Sequence, residues 1–187
     1  SNQLNNLASD DLQALSTAQV AALTTDQVAT LSSSQVALMQ SRDVAAFTTA
    51  QLVVLGNDAV AAFTTSQASG LTTAQLNAFT SDQLAALETR DLAAMTTAQL
   101  SRLNTLQLSR LDTNQINGLS TRQMAALTTT QIAALTSDQL NNLGSDNLRA
   151  LSTTQIQALT TWQLSHLVTS QVVLIETRDI AAFTTAQ

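Results

Sequence analysis

Residues 71–100 read LTTAQLNAFTSDQLAALETRDLAAMTTAQL, and how this stretch is read decides the fold. Large apolar residues stand eight apart at Leu71, Phe79, Leu87 and Met95, and a second set at Leu76, Leu84, Leu92 and Leu100. Ser or Thr stands two places after the first apolar residue, Gln or Asp four places after it, and Ala fills much of the rest. Internal repetition has to be settled before any local reading of such a pattern.

Extended outward with Leu7 as position 1, the eight-residue unit covers the chain without insertion or deletion, and all 23 occurrences of position 1 are large and apolar. Position 6 is Leu, Val, Ile or Met from Leu4 to Ile180, with Ala68 the one departure. Position 3 is Ser or Thr from Ser1 to Thr185, except at Asn57. The unit reads L-[TS]-T-x-Q-[LVI]-x-A. No linker or shift in composition interrupts it, so residues 1–187 read as one continuous array. Ser1 and Gln187 fall in mid-unit beside full consensus, whereas solenoids end in atypical, polar capping repeats. The expectation is an excerpt from a longer array.

Three local structures compete. In a continuous helix eight residues advance about 800°, so the apolar pair would drift about 80° per unit and form no seam. A β-solenoid needs Gly, Asn or Pro at its corners, but this chain has four Gly and no Pro, and its Ala-Ala pairs favour helix. What remains is one short helix per unit, stopped and restarted every eight residues.

The polar residues supply the mechanism. With position 2 as N-cap, position 5 falls at N3, as in Thr72 and Gln75, the spacing of a capping box; Leu71 and Leu76 then form the hydrophobic staple. All 14 units with Ser or Thr at position 2 have Gln at position 5. None of the six full units lacking that Gln (position-5 residues Asp11, Asp43, Ala59, Asp91, Asn147 and Asp179) has Ser or Thr at position 2. A reciprocal hydrogen bond requires this joint variation. In the variant units, Ser or Thr at position 3 is expected to become the N-cap, as Thr89 in LETRDLAA. Asp26, Asp82 and Asp138, at position 4, suit the positive end of a helix dipole. A helix over positions 3 to 8 is about 9 Å long and cannot stand alone. The reading is therefore an all-α, tight solenoid of very short helices stacked on neighbouring repeats of the same chain. The number of helices per coil stays open.

A longer pattern overlies the short one. Units LASDDLQA, LGNDAVAA and LGSDNLRA begin at Leu7, Leu55 and Leu143, and each is followed four units later by MQSRDVAA, LETRDLAA or IETRDIAA. Block duplication explains the spacing.

Composition excludes much else. A net charge of −6 argues against nucleic acid, no apolar run reaches membrane-span length, and the absence of Cys removes disulfides and thiolate metal sites. Polar groups recur in every unit, whereas catalysis needs unlike groups placed once; no enzyme activity and no cofactor are expected. The only His, His166, follows the only Trp, Trp162, by four residues and so shares a helical face with it. With Arg149 they form the one varied surface patch and the candidate binding site. Asp10-Asp11, Arg42-Asp43, Arg90-Asp91 and Arg178-Asp179 read either as Ca²⁺ ligands or as helix-terminal ion pairs, and the second is preferred because no loop gathers six oxygens. Gly56, Gly70, Gly118 and Gly144 are isolated and expected to relax turns or close contacts. Regular Thr ranks also suggest ice binding, a remote alternative if capping consumes the hydroxyls.

The stretches LTTAQLNAFTSDQLAALE and LSTRQMAALTTTQIAALTSDQ resemble the LTTxQIxAL arrays of very long Gram-negative proteins, many described as adhesins, haemagglutinin-like or haem-utilisation proteins. The resemblance covers the whole chain and implies an extracellular or cell-surface setting; no haem ligand set accompanies it. The functional expectation is a rod, stalk or spacer segment of a large bacterial surface protein, with end-to-end self-association into filaments as an extension. A protein- or ligand-binding α-solenoid scaffold is the alternative.

Overall fold

The computed structural model describes residues 9–185 and 187. Readings that fall on residues 1–8, on the side chain of Asp10 and on Ala186 lie outside the described residues. Among these residues the chain is all-helical, with 22 helices of four to six residues from Ser9–Gln13 to Thr177–Ile180 and no strand. None is long and apolar enough to cross a membrane.

Each helix begins at position 3. In the unit from Phe79, Thr80 is an extended N-cap (φ −64°, ψ 159°) and the helix runs Ser81–Ala86. The Leu87 N–H then donates to the Leu84 carbonyl at 3.2 Å, closing the last turn. Leu87 (φ −63°, ψ 144°) and Glu88 (φ −70°, ψ 152°) are both extended, and the next helix starts at Thr89. Two extended residues thus stop one helix and aim the next. Among the described residues none has positive φ, which explains why the array manages almost without glycine.

The chain forms two compact units, Ser1–Met95 and Thr96–Gln187. Within each, a helix packs on the third one along: Ser81–Ala86 on Asn57–Ala61 in the first, Ser137–Asn141 on Thr113–Asn117 in the second. Side-chain hydrogen bonds between coils join residues 25 to 31 apart. The chain therefore passes over itself after three to four octapeptides, the number that spacing alone left open. Position 6 forms the inner core, with Leu52, Leu76, Leu84, Leu92 and Ile132 wholly buried; position 1 closes the core beside it, as at Leu71 and Leu87. Burying one such side chain contributes about 1.5–3 kcal/mol, which helices this short need from their neighbours.

The glutamines do more than cap. At Gln83, Oε1 accepts the Thr80 N–H at 2.9 Å, and the Gln83 N–H donates to Thr80 Oγ1 at 3.1 Å. The other half of the same amide reaches the preceding coil: Nε2 lies 2.9, 3.2 and 2.8 Å from the carbonyl oxygens of Leu52, Val53 and Leu55. Gln51 repeats this on Val20, Ala21 and Leu23. In the second unit Gln155 does so on Met124, Ala125 and Leu127. Glutamate would keep the acceptor but lose the donor and bury a charge, so only glutamine serves both ends.

One expectation is corrected. Thr89 does not become an N-cap: the helix Thr89–Ala93 keeps Glu88 at that place, without a side-chain cap bond. The same holds at Gln40, Gly56, Gly144 and Glu176. Moving the start by one residue would turn the helix by about 100° and carry Leu92 off the core, so packing fixes the boundary even where the cap is missing. Polar groups of the preceding coil supply other bonds. Asn117 Oδ1 accepts the Gly144 N–H at 2.8 Å, and Thr65 Oγ1 donates to Asp91 Oδ1 at 2.7 Å.

The glycines divide. At Gly144 a Cβ would stand 3.1 Å from Asn117 Oδ1, a close contact as expected. Gly118 ends its helix with an ordinary right-handed φ of −72°. Gly56 and Gly70 have negative φ and open space around a would-be Cβ, so neither a special turn nor a tight contact requires them.

Candidate functional site

Trp162 stands at position 4 of its unit, in the helix Thr161–Ser165, on the outward face where no coil covers it; it is 66 % exposed. His166 follows one turn later as the C-cap, and the two rings stack at 3.7 Å between centroids with 29° between planes. His166 Nδ1 is 2.8 Å from the Trp162 carbonyl oxygen. Ser165 Oγ lies 2.9 Å from the same Nδ1 and donates to the Trp162 carbonyl at 2.9 Å, so the imidazole, the hydroxyl and the carbonyl form one local cluster. Asn141, from the preceding coil, donates to the His166 carbonyl at 2.8 Å and accepts the Val168 N–H at 3.0 Å. The stacked pair is thus held on a backbone junction clamped from one coil back.

Arg149 lines a different recess, with Val173, Glu176, Thr177 and Arg178. The structure brings Trp162 and His166 together; Arg149 belongs to the neighbourhood of the IETRDIAA unit. That recess has a counterpart in the first unit, where Ala61, Phe63 and Thr65 face Glu88 and Arg90.

In both recesses the arginine is held mainly by the position-2 glutamate. Arg90 Nε is 2.7 Å from Glu88 and 3.8 Å from Asp91; Arg178 Nε is 2.9 Å from Glu176 and 3.5 Å from Asp179. The arginines are more than half exposed, so these pairs contribute little to stability. Asp91 is wholly buried, and Asp43 likewise, with Arg42 Nε 3.5 Å from its Oδ1. The preferred ion pairs are present, but mere ion pairing does not account for the depth of the aspartates. Among the described residues no group of three or more His, Cys, Asp or Glu side chains is placed to hold a metal ion.

The position-2 hydroxyls are committed to helix starts, as at Thr72, whose Oγ1 accepts the Gln75 N–H at 3.2 Å. With the repeat, its caps and its coil-to-coil bonds established, the comparison with known families is direct. The ALTTAQ repeat model matches residues 4–41, 36–73, 84–121, 116–145 and 140–174.

The chain belongs to the ALTTAQ repeat family.

The matched segments overlap in two runs, as successive windows on one periodic sequence would. No curated protein matches this ALTTAQ array. What the structure adds to the family's motif is a role for its Gln, which reads as a capping residue in sequence and serves two coils in three dimensions. Sequence reasoning missed this because the partner carbonyls belong to backbone and leave no trace in residue identity.

Proposed function

We propose that this ALTTAQ array is a non-enzymatic structural spacer within a large bacterial surface or secreted protein. The observation that carries the reading is the use of the buried amides. Gln51, Gln83 and Gln139 spend their side chains on their own helix start and on an earlier coil, so the interior's polar groups serve the winding itself. The extracellular setting is supported by the resemblance to adhesin-type arrays, and the acidic balance fits a segment with no nucleic-acid partner. End-to-end self-association belongs to the same proposal.

The test is to delete or duplicate whole octapeptides in the parent protein on its native cells. Adhesion or display should change in proportion to the number removed or added, and unchanged adhesion after complete removal overturns the reading. Light scattering at rising concentration tests self-association separately. A second reading, a protein-binding scaffold, is favoured by Trp162 on its open face and by Val168, also exposed, in the next unit. It predicts that Trp162→Ala abolishes capture of a partner while the array stays folded.

A further inference from the structure

We infer that the ETRD units hold a hard metal cation of the Ca²⁺ class between two coils, with Asp91 as the charged ligand in the first unit and Asp179 as its counterpart in the second. The argument starts from what position 5 faces. Where it is Gln, two or three backbone carbonyls from the end of an earlier helix converge on one amide nitrogen, three of them at 2.7–3.3 Å around Gln51 and at 2.8–3.2 Å around Gln83. These oxygens stand 31, 30 and 28 residues before the glutamine and carry the partial negative charge of a helix C-terminus. Counted from Asp91 they are the carbonyls of Val60, Ala61 and Phe63.

A side chain one carbon shorter than glutamine still reaches them. Asn147, also at position 5, donates from Nδ2 to the carbonyls of Asn117 and Leu119 at 3.3 and 2.9 Å. Aspartate has the shape of asparagine with oxygen in place of that nitrogen. The Thr65 Oγ1 bond to Asp91 Oδ1, 26 residues apart, holds the register here. The second oxygen, Asp91 Oδ2, is buried and receives no hydrogen bond, and the residue is 0 % exposed. Carboxylate and carbonyls are all acceptors, so nothing among them supplies the attraction that the amide N–H supplies elsewhere. A cation about 2.3–2.6 Å from each of several oxygens supplies it.

Charge points the same way. Arg90 gives its shortest contact, 2.7 Å, to Glu88, leaving the Asp91 charge largely unbalanced. Asp179 repeats the threonine and glutamate contacts, with Thr153 Oγ1 2.7 Å from Oδ1 and Arg178 on Glu176 at 2.9 Å. Asp43 is left out although both its oxygens are buried without a hydrogen bond: Gln40 Nε2 already lies 3.3 Å from the Gln13 carbonyl, and no glutamate draws Arg42 away. With one carboxylate per site and water completing the shell, affinity belongs to the weak extracellular range, about 10⁻⁴–10⁻³ M.

The test uses chelator-treated protein of the full chain. Thermal unfolding is followed by circular dichroism with and without about 10 mM CaCl₂, against NaCl of equal ionic strength. The expected result is a Ca²⁺-specific rise in midpoint of about 2–4 °C. An Asp91→Asn, Asp179→Asn variant should lose the response while remaining folded, because Asn147 shows that asparagine fits. Absence of a Ca²⁺-specific rise, or an equal rise in the variant, overturns the proposal. Equilibrium dialysis with radioactive Ca²⁺ on the unmodified chain does not depend on the variant folding: saturable binding near two ions per chain supports the sites, and none overturns them.

Discussion

Gln83 Nε2 lies 2.8 Å from the carbonyl oxygen of Leu55, 28 residues earlier, while Oε1 of the same amide accepts the Thr80 N–H three residues earlier. One planar group therefore holds the beginning of its own helix and the end of another. Local start signal and long-range assembly are the same side chain, so a helix that caps correctly is also placed correctly.

Gln83→Ala should cost about 2–4 kcal/mol, more than an N-cap alone, because it leaves three carbonyls and one N–H without their partner. Gln83→Glu should cost at least as much, although glutamate is as good as glutamine in an isolated capping box. Urea unfolding of both variants checks this. A neutral Gln83→Glu would show that the Nε2 contacts carry no weight.

A double-mutant cycle isolates the cap. Thr80→Val alone should cost about 1 kcal/mol, and combined with Gln83→Ala the losses should fall short of additivity by about 1 kcal/mol. Additive losses would mean that Thr80 and Gln83 act independently.

Leu92 and Leu106 separate core from surface within one residue type. Leu92, at position 6, is 0 % exposed, and Leu92→Asp should unfold the coils around it, costing at least 3–5 kcal/mol, on the order of other buried unpaired charges. Leu106, at position 4, is 60 % exposed, and Leu106→Asp should change stability by less than about 0.5 kcal/mol. Similar effects in the two would contradict the assignment of positions.

Trp162→Ala should cost less than about 1 kcal/mol, since the ring is mostly in solvent and its main contact is His166. Because Trp162 is the only tryptophan, emission reports this one place: the spectrum should be water-like, and His166→Ala should change its intensity without shifting the unfolding midpoint.

Much of this architecture is legible in the octapeptide. Apolar positions 1 and 6, the Thr and Gln of the helix start, and the exclusion of strand and of continuous helix all follow from spacing. The return distance does not, because it depends on angles set at extended junctions such as Leu87–Glu88, and many residues share those angles. The start of the Thr89–Ala93 helix was misplaced for a related reason: capping chemistry is local, but the boundary is set by where Leu92 must point. At the candidate site, the four-residue spacing puts Trp162 and His166 on one helical face, where their rings stack. The recess of Arg149 is made by Glu176 and Arg178 from another coil, which no count along the chain would join to it.

A return of 28 residues is three and a half octapeptides, so the start of one helix meets the end of another. The tie lands on backbone carbonyls, which every residue type carries, so it makes no demand on the side chains of the earlier coil. Near-identical units can therefore be strung together without matching one coil's side chains to the next, and each repeat is free to vary outside its Thr, Gln and apolar pair.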